Sequence, residues 1–135
     1  SPIPDTETTM HRSRFAGLII DCETDDLAGA ADFWSKALGA PPKPAPESGQ
    51  GPYVELNMPP DEPYIEVQQV DHPSRGHLDI GTDDLEAEAA RLEKLGAKRI
   101  ADIKTWIVME APTGQRFCIV PVNSRNFADT ANRWD

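Results

Sequence analysis

Apolar and polar positions along the chain change period twice, in the same order. Phe15–Ile20 is a short run rich in branched residues, which predicts a buried strand. Thr24-Asp25-Asp26 then offers capping side chains, and Leu27, Ala30, Ala31, Trp34 and Leu38 recur at helical spacing up to a stop at Gly39. The stretch from Ala40 to Pro52 carries five prolines and two glycines, the composition of a loop or irregular edge. Tyr53–Leu56 and Tyr64–Val67 read as strands around the turn Met58–Pro63, and a further loop covers 71–76.

The order then returns. His77–Ile80 predicts a strand, and Thr82-Asp83-Asp84-Leu85 repeats Thr24-Asp25-Asp26-Leu27 letter for letter. Asp83 and Glu86 have the spacing of a capping box, with Leu85, Ala89 and Leu92 as the buried stripe of a second helix. The rest of that helix, with acids early and Arg91 and Lys94 late, reads as a solvated outer face matched to the helix dipole. Leu95-Gly96-Ala97 echoes Leu38-Gly39-Ala40, and strands follow near 98–101, 105–110 and 116–120. Tyr53–Pro59 aligns with Trp106–Pro112, and Tyr64–Val67 with Phe117–Val120. These echoes predict an α+β domain of two tandem βαβββ modules. A curved mixed sheet would carry its helices on the outside and enclose a concave cup, the usual place for a small ligand.

The boundaries that follow are a flexible N-terminal tail over 1–13 and a domain over 14–121, with module one at 14–70 and module two at 76–121. A C-terminal tail over 122–135 follows, whose Phe127 and Trp134 are large aromatics in a polar segment and imply docking on the domain or on a partner subunit.

Composition narrows the function. A net charge of −10, with 13 basic residues scattered along the chain, argues against nucleic acid and anionic membrane as partners. No apolar run approaches the roughly 18 residues of a membrane span, and residues 1–14 lack the apolar stretch of a secretory signal. Cys22 and Cys118 show no paired spacing, which fits a reduced, cytoplasmic protein. At 39% apolar residues, the core needs no disulfide or structural metal.

Several side chains carry candidate chemistry. His77 opens a strand and is either a ligand contact and general acid/base or a hydrogen-bonded structural histidine. Asp21 and Asp79 lie in or after apolar strands, as acid/base candidates or as partners of backbone groups. Cys118 is a small core residue unless Arg116 activates its thiol. Tyr53 and Trp106 suit the flat walls of a cup or the core, and of the neighbours Gln68 and Gln69 one faces solvent.

Leu18–Cys22, Phe33-Trp34 with Leu38-Gly39, His77-Leu78-Asp79, Leu92 with Leu95-Gly96-Ala97, and Ala111–Gly114 with Phe117-Cys118 together resemble the vicinal oxygen chelate superfamily. That group holds glyoxalase I, bleomycin-resistance proteins, ring-cleaving dioxygenases and epimerases. The nearest likeness is to its glyoxalase-like branch, over about residues 14–121. The resemblance implies the doubled fold, a homodimer, and in the enzymes a divalent metal held by His and Glu on the strands. Here His77 fits such a position, Phe15–Ile20 offers no ligand, Ile65 with Glu66 beside it stands at the third, and Cys118 replaces the expected Glu.

The expectation is therefore a protein that binds a small apolar or aromatic molecule without a tightly bound metal. Tyr53, Gln68, His77, Trp106 and Cys118 would line the site, with His77 as its acid/base. The alternatives are a metal-dependent lyase, isomerase or dioxygenase using Glu66, His77 and Cys118, and a non-catalytic interaction module.

Overall fold

The computed structural model describes residues 10–122 and 126–135. In chain order the elements are β1 (His11–Glu23), α1 (Leu27–Leu38), β2 (Tyr53–Leu56), β3 (Tyr64–Val70), β4 (Arg75–Thr82), α2 (Leu85–Lys94), β5 (Lys98–Ile103), β6 (Trp106–Glu110), β7 (Arg116–Pro121), α3 (Phe127–Thr130) and β8 (Asn132–Trp134). This is the α+β class that the periodicity predicts; the second repeat has the expected strand–helix–three-strand order (β4-α2-β5-β6-β7), whereas the first has two strands after its helix (β1-α1-β2-β3). Parallel pairs (β1 with β3, β4 with β7) and antiparallel pairs make the pairing mixed. Among the described residues no helix is long and apolar enough to cross a membrane.

By contacts the chain forms two compact units, Ala16–Leu78 and a second that joins the start of β1, up to Phe15, to Asp79–Asp135. The division falls within β1 and β4 rather than between the sequence modules.

In the Ala16–Leu78 unit the strand order is β2-β3-β1. Alternation sends Ile65, Val67, Val54 and Leu56 to one side, where they pack with Cys22, Leu27, Ala30 and Trp34 under α1. Leu56 and Val67 are fully buried there. Helix α1 begins because the Asp26 carboxylate accepts from the Gly29 amide at 3.0 Å, and it stops at Gly39, whose φ of 70° is left-handed. The proline-rich stretch is a loop, apart from a single bridge between Pro42 and Leu56.

In the second unit the order is β4-β7-β6-β5, with α2 packed on Ile107, Met109 and Ile119 through Ala89 and Leu92. The N-cap of α2 is Asp84, which accepts from the Ala87 amide at 3.0 Å, and not Asp83. Asp83 instead accepts from the Arg12 amide at 2.8 Å, and Glu86 is drawn away to Arg99.

The start of the chain also differs from expectation. Strand β1 begins at His11, so residues 11–13, assigned from the sequence to a flexible tail, are strand, with His11 and Ser13 buried. The cause lies in α2, whose solvated face was expected to be polar throughout. Glu88 is fully buried, accepts from Arg91 at 2.9 and 2.8 Å, and pairs with His11 Nε2 at 2.8 Å. Residues 132–134 then add β8 antiparallel to His11–Ser13. The Trp134 indole donates to Ser13 Oγ at 2.8 Å, and the Arg91 guanidinium stands 3.9 Å over its ring. Phe127 is buried beside this strand in sequence. Residues 1–9 and 123–125, part of the two predicted tails, lie outside the described residues.

Candidate functional site

In the Ala16–Leu78 unit, the sheet side opposite α1 carries the polar groups. Strand alternation places Gly17, Ile19 and Asp21 of β1 there, because Cys22 is committed to the α1 core. The register then forms rows across the strands. Tyr53, Gln68 and Asp21 are direct cross-strand partners in one row, and Glu55, Glu66 and Ile19 in the next. Gln69, opposite Cys22, faces the other way and is exposed, so Gln68 is the glutamine on the candidate face.

Asp21 anchors the row. Its carboxylate is 3% exposed, and Oδ2 lies 3.0 Å from Nδ1 of His77. Because a carboxylate only accepts, the imidazole donates from Nδ1, and Nε2 is the nitrogen left for a ligand. The His77 side chain is 17% exposed. The other Asp21 oxygen, Oδ1, is buried without a hydrogen-bond partner among the described residues. A carboxylate with one oxygen unsatisfied holds its remaining donor firmly, since losing it would leave a buried charge bare. Arg75, two residues before His77 on β4 and therefore on the same side, places Nε 3.9 Å from the same Oδ2. A cavity of about 520 Å³ opens on this unit, lined by Thr24, Gln68, Gln69, Val70, Asp71 and His72.

The arrangement can bind a small molecule and hold or move a proton at Nε2 of His77, with Asp21 fixing the ring. Tyr53 is 37% exposed and offers an aromatic surface at the far end of the row.

The structure corrects the strand parity read from the sequence. Ile65, taken as the residue in register with the metal position, packs against the α1 core, and Glu66 occupies the polar side. The aligned echo of Tyr53 with Trp106 is also offset by two. In the second unit Val108 lies opposite Cys118 as Tyr53 lies opposite Gln68, and Trp106 is one side-chain repeat upstream on the same side. Cys118 is half-buried opposite Asp79. Arg116, the cation considered for its thiol, pairs with Glu110 at 3.0 Å instead.

A catalytic divalent ion needs about three protein donors. The candidate face of the Ala16–Leu78 unit offers Nε2 of His77, the Glu66 carboxylate and the Gln68 amide. Arg75 and His72 escaped the sequence reading because 71–76 reads as a loop, where no periodicity marks the side that a residue faces, although Arg75 opens β4. Asp21 was visible only as a carboxylate at a strand end. Its partner stands 56 residues away in sequence.

Residues 17–120 match the family model of the glyoxalase-like domain. No curated protein matches the chain in sequence. Among solved structures, a hypothetical protein from Bacillus halodurans is similar at 13% identity and a TM-score of 0.61, covering 84% of this chain and 96% of that one. A methylmalonyl-CoA epimerase in complex with methylmalonyl-CoA and NH4+ follows at 16% identity and 0.56, covering 84% and 96%. A variant methylmalonyl-CoA epimerase of Streptomyces coelicolor in complex with 2-nitronate-propionyl-CoA gives 15% and 0.54, covering 82% and 98%. At these identities the likeness is one of fold.

Proposed function

The chain belongs to the glyoxalase-like domain family of the vicinal oxygen chelate superfamily, and from that premise we propose that it binds a small apolar or aromatic molecule without a tightly bound metal. The site is the polar side of β2-β3-β1, with Tyr53 as its flat wall, Gln68 as a neutral hydrogen-bonder and His77 as the proton-handling group. Trp106 and Cys118, on the corresponding side of β6 and β7, remain the second unit's candidates for ligand contact. A homodimer and a cytoplasmic location belong to the same reading, from the family resemblance and from two cysteines whose spacing shows no paired motif.

The observation that carries the proposal is the 3.0 Å bond from His77 to a nearly fully buried Asp21. A buried carboxylate spent on one imidazole nitrogen fixes which nitrogen meets the ligand, and that is how an acid/base histidine is held. That an epimerase of similar fold is found with an acyl-CoA supports a small-molecule site on this architecture. A carboxylate–imidazole pair is also how a metal-ligating histidine is oriented, so the test must separate the two.

The test combines metal analysis of protein purified without chelator with a thermal-shift screen of small aromatic molecules. Binding to the native state raises the apparent stability, so the expected result is substoichiometric metal and a ligand-induced shift that His77→Ala removes and Asp21→Asn weakens. Stoichiometric divalent metal, lost in His77→Ala or Cys118→Ser, would overturn the proposal in favour of a metal-dependent lyase, isomerase or dioxygenase.

A further inference from the structure

The site reading leaves one charged group without employment. Arg75 has a side chain 56% exposed, and its contacts are long: 3.9 Å from Nε to Asp21 Oδ2, and 3.5 Å from a terminal guanidinium nitrogen to His72 Nε2. A charge-assisted bond from a guanidinium runs about 2.7–2.9 Å. The closer partner of Oδ2 is His77, at 3.0 Å. Asp21 therefore holds the imidazole by a hydrogen bond and the guanidinium only by charge, so most of Arg75's five N–H donors stay uncommitted.

The placement of this cation is specific. Arg75 and His77 are two residues apart on β4 and share one side of the strand. His72, against which Arg75 leans, lines the cavity, as does Gln68, which is the cross-strand neighbour of Asp21. Arg75 thus joins a residue that lines the cavity, His72, to the strand side that carries His77.

We propose that the molecule taken by this site is a monocarboxylic acid with an apolar body, and that Arg75 receives its carboxylate. The inference rests on the small-molecule reading above and adds the class of ligand. A planar guanidinium fork matches a carboxylate in two parallel bonds. The local charge selects a monoanion, because Asp21 already lies near Arg75 and Asp71 lines the cavity, so a phosphate dianion would be left undercompensated. The apolar body is received by the exposed Tyr53 ring at the end of the row, and the acid group brings its adjoining carbon towards His77.

The experiment is calorimetric titration of the full chain with benzoate and phenylacetate against benzamide and phenylacetamide, repeated in Arg75→Gln and Arg75→Lys. The acids are expected to bind and the amides not. Arg75→Gln should weaken the acids by about tenfold or more, the cost of a charge-assisted bond, and Arg75→Lys should restore part of it. Arg75 is exposed, so both variants should fold, as circular dichroism would verify. Failure of both acids to bind, amides binding as tightly as acids, or Arg75→Gln binding the acids like the parent protein would each overturn the carboxylate assignment. Amide binding that is lost in His77→Ala would still support the site itself, so the two readings fail separately.

Discussion

Replacing Glu88 with glutamine tests the reasoning about the buried charge in α2. The carboxylate is fully buried and makes three short contacts with two side chains: Arg91 Nε at 2.9 Å, a terminal Arg91 nitrogen at 2.8 Å, and His11 Nε2 at 2.8 Å. Glutamine keeps the shape but brings one acceptor oxygen and an amide that donates. At least one bond is lost, and a donor faces a donor inside the protein. Breaking a buried pair in this way costs about 3–5 kcal/mol, and Arg91, being 25% exposed, can recover some hydration, which favours about 3. In a domain of this size that lowers Tm by about 10 °C. Differential scanning calorimetry at neutral pH, together with urea titration, reads both quantities.

The pH dependence adds a second arm to the same test. Burial alone would raise the Glu88 pKa, but the hydrogen bonds from Arg91, His11 and Ser13 outweigh it and hold the carboxyl below its ordinary value. A depressed carboxylate contributes stability that is present above the ordinary carboxylate range and lost as pH falls through the folded value. The gap between parent and Glu88→Gln should therefore narrow in acid, below the usual range for glutamate. A variant equal in Tm to the parent at neutral pH would refute the reasoning. So would a gap that stays constant through the acid limb.

Three further outcomes follow from the packing. Trp134→Phe keeps the ring under Arg91 but removes the donor to Ser13, and should cost about 1 kcal/mol in urea titration with the fold unchanged. Gly17→Ala would drive a Cβ into the Tyr64 ring that lies across it. It should lose about 1–3 kcal/mol and alter the tyrosine near-ultraviolet circular dichroism. Gly39→Ala meets no neighbouring atoms, so its cost of about 1–2 kcal/mol in thermal unfolding would come from the left-handed φ of 70° alone, leaving ligand binding as it was.

Much of the fold was legible before any coordinates. Helix α1 runs from Leu27 to Leu38 and stops at Gly39 as its periodicity and glycine indicated, because both signals are local. The strands from Tyr53 to Val120 fall where branched and aromatic runs lie between turn residues. Local rules failed where a distant partner competed. Asp83 and Glu86 had the spacing of a capping box, yet Arg12 and Arg99 draw both away, and Asp84 caps instead. Glu88 had every mark of a surface residue, and only the arrival of His11 and Arg91 makes its burial tolerable.

The candidate site divides in the same way. The sequence by itself determined the doubled order of elements and singled out His77, since both follow from side-chain type and spacing along neighbouring residues. Tertiary structure alone decided which side of each strand carries the polar groups. A strand's period of two means that a one-residue error exchanges Ile65 for Glu66, and the register that settles it comes from pairing β3 with β1, more than 40 residues away. The same pairing brings Gln68 opposite Asp21, and the approach of β4 brings His77 and Arg75 to one carboxylate oxygen. Periodicity records how a residue sits in its own element. The His77–Asp21 pair and the neighbouring Arg75 are relations between elements, and those exist only once the chain has folded.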